Sequence, residues 1–312
     1  MIKRTLCFSN PAYLSLQNNQ LVIKLPGAEN NKTFPEVLKE KYKTTVPIED
    51  IGVVVLDDKR ITITQGLLEK LLENNCAVIT CDSSHLPVGL MLPLCSNTTQ
   101  NERFRTQIDA SLPLKKQLWQ QTVRQKIINQ AFVLEKYSNE EHKCMRIWAN
   151  EVRSGDPDNI EARAAAYYWK NLFKNTHENF VRDREGIPPN NFLNYGYAIL
   201  RAIIARALVC SGMLPTLGIH HHNRYNAYCL ADDIMEPYRA YVDDFVLDFY
   251  FANPEKTEID KDFKIRFLSI PTLDVVVDGK RSPLMVAAST TTASLYKCFC
   301  GEIRKISYPE ML

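Results

Sequence analysis

Cys95-Ser-Asn-Thr-Thr-Gln-Asn101 is a polar, turn-forming stretch, and the periodicity of the chain changes across it. Before it, short apolar runs alternate as strands do. Arg4-Thr-Leu-Cys-Phe8, Ala12-Tyr-Leu-Ser-Leu16 and Leu21-Val-Ile-Lys24 are such runs, with Asn18-Asn19-Gln20 as a hairpin turn between two of them. Residues 45–48 and 51–56 continue the pattern, and Ala77-Val-Ile-Thr-Cys81 reads as a buried strand. One segment in this half, residues 64–73, carries apolar residues at helical spacing. Beyond Asn101 the periods are helical over 113–137, 158–174, 194–210, 224–251 and 283–304. Residues 263–270 fit a helix or a strand, and 275–281 a hairpin tip. The expected fold is α+β: a small β-rich N-terminal domain over residues 1–95, then a larger all-α domain over 96–312.

Composition excludes several function classes. The formal charge of +2 over 312 residues means that nucleic acid would be met by local patches, not by bulk charge. Glycine is scarce, with 11 residues, and neither a P-loop nor a dinucleotide-binding turn is present. Nine cysteines include no C-x-x-C pair, which points to free thiols in a reducing cytoplasm. The most apolar window, 195–219, is interrupted by Arg201 and Arg206; a buried helix is expected there rather than a membrane span.

Chemistry-bearing residues gather in Leu217-Gly-Ile-His-His-His222 and the segment that follows. Asp233 and Glu236 are three apart and share a helix face; Asp232 and Glu236, four apart, are also compatible. Alone, such acids read as a solvated face near a helix N-terminus. A run of three histidines twelve residues upstream changes the weighting. Upstream again, Glu161 opens a helix rich in alanine, which allows close approach of another helix. Asp158 three residues earlier suggests a capping box, the structural alternative for Glu161. One imidazole with two or three carboxylates suits Mg²⁺ or Mn²⁺ better than Zn²⁺. The chemistry so indicated is metal-assisted phosphoryl transfer.

These segments resemble the CRISPR-associated adaptation integrases, the Cas1 family. Residues 158–169 resemble its acidic helix motif, 217–221 its histidine motif and 230–239 its acid-rich helix motif. Lys126-Ile-Ile-Asn-Gln-Ala131, 194–200 and 81–90 are weaker likenesses, and the forms at 217–221 and 232–239 are closest to the type II branch. The resemblance implies a metal held by Glu161, His221 and either Glu236 or Asp233, with His220 and His222 as alternatives by register. It implies joining of protospacer 3′-hydroxyl ends into the CRISPR repeat by transesterification, and DNA cleavage with water in the same site. It also implies a homodimer through the N-terminal domain and a complex with the small partner Cas2, with Cas9 and other adaptation proteins as further partners. A nuclease without integration, or a DNA-binding scaffold without catalysis, are the competing readings.

Phosphate contacts require cations. Arg163, Arg182, Arg184, Arg224, Lys115 and Lys116 are the expected set, with Arg103, Arg105, Arg124, Lys126 and Arg201 as further candidates. Arg239 is expected either on DNA or paired with an acid of the site.

Overall fold

A computed structural model describes residues 3–29, 43–83, 85–138, 141–174, 180–183 and 186–312. Arg184 therefore lies outside the described residues. The chain forms two compact units, 1–96 with 259–269, and 97–258 with 270–312.

In the first unit, β1 (Arg4–Phe8), β5 (Ile51–Leu56), β7 (Ala77–Cys81) and β8 (Pro87–Met91) form one sheet in the order β1-β5-β7-β8. The first three strands are parallel and β8 is antiparallel. Central β5 is buried almost throughout, which is why its sequence, Ile-Gly-Val-Val-Val-Leu, does not alternate. A second sheet has the order β4-β3-β2-β6, from β4 (Thr44–Pro47), β3 (Gln20–Lys24), β2 (Tyr13–Gln17) and β6 (Thr62–Ile63). The β2–β3 turn is at Asn18-Asn19, both left-handed (φ 52° and 57°), the geometry of a two-residue hairpin. Helix α1 (Gln65–Glu73) buries Leu67 and Leu71, one turn apart, in a core with Leu14, Leu21, Ile51, Val54 and Val78.

The ambiguous stretch near residue 265 is a helix, α8 (Lys261–Phe267), and it belongs to the first unit, not to the helical one. Asp260 caps it by accepting from the Phe263 N–H at 2.8 Å. Phe263 and Phe267, one turn apart, are fully buried, and Lys264 Nζ lies 2.5 Å from Asp57 Oδ2. Both groups are buried, and without Lys264 the Asp57 carboxylate keeps only the exposed His85, at 2.9 Å, as an ion partner among the described residues. Lys264→Ala is expected to cost about 3–5 kcal/mol of stability, measured by denaturant unfolding; a loss under 1 kcal/mol would show that the pair is not buried in solution.

The second unit is built on α3 (Leu112–Ser138), which packs against α4 (Lys143–Glu151), α5 (Ile160–Leu172) and α7 (Cys229–Ala252). Helix α6 (Asn190–Cys210) packs on α7 and on α9 (Leu284–Phe299); α2 (Gln100–Ile108) also touches α9. Helix α6 is long and apolar enough to cross a membrane by composition, but 78% of its apolar window is buried inside the protein. A small sheet, β10-β9-β11, adds strand to this mainly helical unit: β9 (Asp274–Val277), β10 (Lys280–Pro283) and β11 (Pro309–Glu310). Asp278 and Gly279, both left-handed, turn β9 into β10.

Two helices fall five residues short of their periodic segment at one end. Helix α7 starts at Cys229, not Arg224, because Asn223 and Asn226 accept from the Tyr225 and Tyr228 N–H groups and hold 223–228 in turns. Helix α9 stops at Phe299, short of Arg304, where left-handed Gly301 lets Glu302 N–H cap the Lys297 carbonyl at 3.0 Å.

Candidate active site

Glu161, His221, Asp233 and Glu236 all lie in the second unit. Glu161 stands in the first turn of α5. Its helix is capped by Asp156, whose two oxygens accept from Ile160 N–H at 3.0 Å and Glu161 N–H at 2.9 Å. The expected capping box from Asp158 does not form; Asp158 instead takes a bidentate contact from Arg153 at 2.7 and 2.8 Å. The Glu161 side chain is thus not spent on its own helix. Its Oε1 meets Lys126 Nζ at 2.5 Å.

Asp233 and Glu236 share a face of α7 but do different things. Asp233 is fully buried, and both its oxygens are occupied. Oδ2 accepts from Ile219 N–H at 2.7 Å and His220 N–H at 3.0 Å. Oδ1 accepts from His221 N–H at 3.2 Å and lies 2.5 Å from His221 Nδ1. The carboxylate wraps the histidine loop around itself. Gly218 is required for this approach, since a side chain there would strike the His221 carbonyl and lie 2.7 Å from Asp233 Oδ2. The hydrogen bond to Asp233 raises the His221 pKa above its ordinary value, against burial, which lowers it. With Nδ1 on Asp233, Nε2 is the nitrogen left to meet a ligand. Trp119, fully buried on α3, stacks on His220 at 4.1 Å and meets His221 edge-on at 5.6 Å.

Glu236 points to Lys126 as Glu161 does: its Oε2 lies 2.7 Å from Nζ, and its Oε1 lies 3.0 Å from Arg239 Nε. Burial pushes the Glu236 carboxyl up; Arg239 and Lys126 overcome this and hold it down to about 2. Arg239 is therefore an acid's partner, and its guanidinium also stacks on the Tyr197 ring at 4.6 Å. Tyr197 and Tyr168 both donate to buried Asp243, whose carboxyl burial pushes up to about 6. Asp232 turns away to Arg201 (2.6 Å) and Asn226 (2.7 Å), so it is not part of this cluster.

Lys126 is the residue that sequence reasoning misplaced. It is no surface phosphate contact but a buried cation between two glutamates. The signal was present: Lys126 sits one heptad after Trp119, on the stripe that buries Val123, Ile127 and Ala131. A lysine on a buried stripe needs an acid to meet it.

Of the other expected phosphate contacts, Arg224 is exposed and stacks on exposed Tyr225. Lys116 is exposed and Lys115 half-buried. Arg163 pairs with Glu151 at 3.2 Å and stacks on Trp148. Arg182 is committed to Asn190 and Asn194.

Two carboxylates from different helices converge on the Lys126 ammonium beside an oriented imidazole, and oxygen donors of this kind are those that hard divalent cations take. Among the described residues no three acid, histidine or cysteine side chains yet share one coordination sphere; the ammonium stands between the glutamates.

A profile of the family described as CRISPR associated protein Cas1 matches residues 6–267. The chain belongs to the Cas1 family. It is 36% identical over 314 residues, all of this chain and 97% of the other, to a CRISPR-associated endonuclease Cas1 of Neisseria meningitidis serogroup C strain 8013. It is 28% identical over 251 residues to a second Cas1 endonuclease, from Saccharolobus solfataricus, covering 77% of this chain and 73% of that one. Among solved structures it shares the Cas1 fold with a casposase bound to integration product, at TM-score 0.76 and 17% identity over 98% and 93% of the two chains. A Cas1 protein from Thermotoga maritima superposes with TM-score 0.71 at 14% identity, over 99% of this chain and all of that one.

Proposed function

We propose that this Cas1 chain is a divalent-metal-dependent DNA integrase and endonuclease of CRISPR adaptation, acting in the cytoplasm. It would join protospacer 3′-hydroxyl ends into the CRISPR repeat by transesterification. The observation that carries the reading is the convergence of Glu161 and Glu236 on one cation beside His221. Relatives named as endonucleases and a structural neighbour bound to an integration product support it. The assembly proposed is a homodimer, through the N-terminal unit, with Cas2; a neighbour solved as a Cas6-RT-Cas1–Cas2 complex supports the Cas2 partner. Cas9 and other adaptation proteins are proposed to join it in a type II setting.

Glu161, Glu236 and His221, through its free Nε2, would hold the ion. Asp233 is a positioning residue: four donors already occupy its oxygens, so Glu236 would supply the third ligand. Bound Mg²⁺ or Mn²⁺ supplies charge stabilisation at the phosphorus and at the leaving oxygen. Asp233 fixes the imidazole by holding Nδ1 and the loop N–H groups together, as acids behind metal-ligating histidines do. Arg239 and Lys126 keep Glu236 ionised at any physiological pH. Either a DNA 3′-hydroxyl or water attacks in the same site, which gives joining or cleavage.

The test is a plasmid insertion assay with Cas2, a short duplex donor, and Mn²⁺ or Mg²⁺. Joining by a 3′-hydroxyl donor but not by a 3′-blocked donor identifies the integrase; nicking alone leaves a nuclease. DNA binding should also weaken with salt, by about one power of [salt] for each phosphate contact. Arg224→Ala is expected to make that slope shallower by about one; an unchanged slope removes Arg224 from the DNA-binding set.

A further inference from the structure

The geometry points to Lys126 as a resident counterion, its ammonium holding the point between Glu161 and Glu236 and competing with the divalent ion for the same two carboxylates. This rests on the reading of Glu161, His221 and Glu236 as metal ligands.

Glu161 and Glu236 come from α5 and α7, 75 residues apart in the chain, and Lys126 from α3. Both acids touch Lys126 Nζ, at 2.5 and 2.7 Å. Without it two carboxylates would face each other, one of them buried, and repel. The acids are also unequal. Glu236 keeps Arg239 at 3.0 Å through its other oxygen, whereas among the described residues Glu161 has Lys126 as its single ion pair. A cation entering between them must move the ammonium aside. The lysine stem, four carbons long, has the rotatable bonds for this.

Two consequences follow. The metal-free protein keeps its acids aimed at one point, ready for the ion. It also binds the ion less tightly than the same ligands would without the lysine. The device exchanges affinity for pre-organisation.

The full chain would be titrated with Mn²⁺, following free Mn²⁺ by electron paramagnetic resonance, for wild type, Lys126→Met, Lys126→Arg and His221→Ala. Lys126→Met is expected to bind Mn²⁺ at least about tenfold more tightly, since a unit charge a few ångströms from the ion is removed. Lys126→Arg should stay near wild type. In chelator, Lys126→Met should melt below wild type, and saturating Mn²⁺ should restore it. Equal or weaker Mn²⁺ binding by Lys126→Met overturns the competition. So does a Lys126→Met protein that stays unfolded in saturating Mn²⁺, since the ion then cannot replace the ammonium. Binding lost in His221→Ala but unchanged in Lys126→Met sinks the counterion role and spares the ligand set. No specific binding by wild type sinks both.

Discussion

His221→Ala is expected to lower both donor joining and nicking by about a thousandfold or more, the scale of losing an oriented group that helps hold a charge-stabilising ion. Stability should fall by only about 1 kcal/mol. The imidazole is half-exposed, and Asp233 Oδ1 keeps the His221 backbone N–H when the ring is gone. The measurement is the insertion assay beside a thermal melt. Residual joining above a tenth of wild type would remove His221 from the site. Glu236→Ala is a poorer probe, because it strips buried Lys126 and Arg239 of their shared acid. Its loss of activity would be mixed with a loss of fold.

Asp233→Ala should cost far more stability. It removes one buried carboxylate and leaves three loop N–H groups and an imidazole without their acceptor. A loss of about 3–5 kcal/mol is expected, read by denaturant unfolding, with joining abolished as the histidine loop is released. Asp233→Asn keeps the shape and one acceptor oxygen, so it should fold better and still join poorly. The pair also sets a pH dependence. The folded His221 pKa is raised, so the stabilisation is complete below the unfolded value of 6.5 and is lost as pH rises through the raised folded value. Asp233→Asn should abolish this part of the stability-versus-pH curve. A wild-type curve identical to that of Asp233→Asn would show that the pair carries no proton linkage. Asp233→Ala with normal stability but no metal binding would restore Asp233 as a direct ligand.

Much of the molecule was legible as local pattern. The Asn18-Asn19 turn, the helical period of α3 and the break after Cys95 rest on neighbouring residues alone, because turns and periodic faces are short-range properties. The motif around Leu217–His221 and the acids of α7 stood out for the same reason. Parallel pairing of β1 with β5 was not legible, since register between distant strands has no local signature. Nor was the return of Ile259–Ser269 to the first unit, which depends on Phe263, Phe267 and Lys264 finding Asp57 and the core some two hundred residues away.

At the site, the sequence by itself determined which residue types were available and which shared a helix face. Spacing of three puts Asp233 and Glu236 on one side of α7 and stops there. Only the tertiary structure gives them different surroundings. The loop at 217–222 closes on Asp233 and fills its oxygens, while α3 and α5 bring Lys126 and Glu161 to Glu236. A carboxylate's role is set by the donors and charges packed against it, and these arrive from elements far away along the chain.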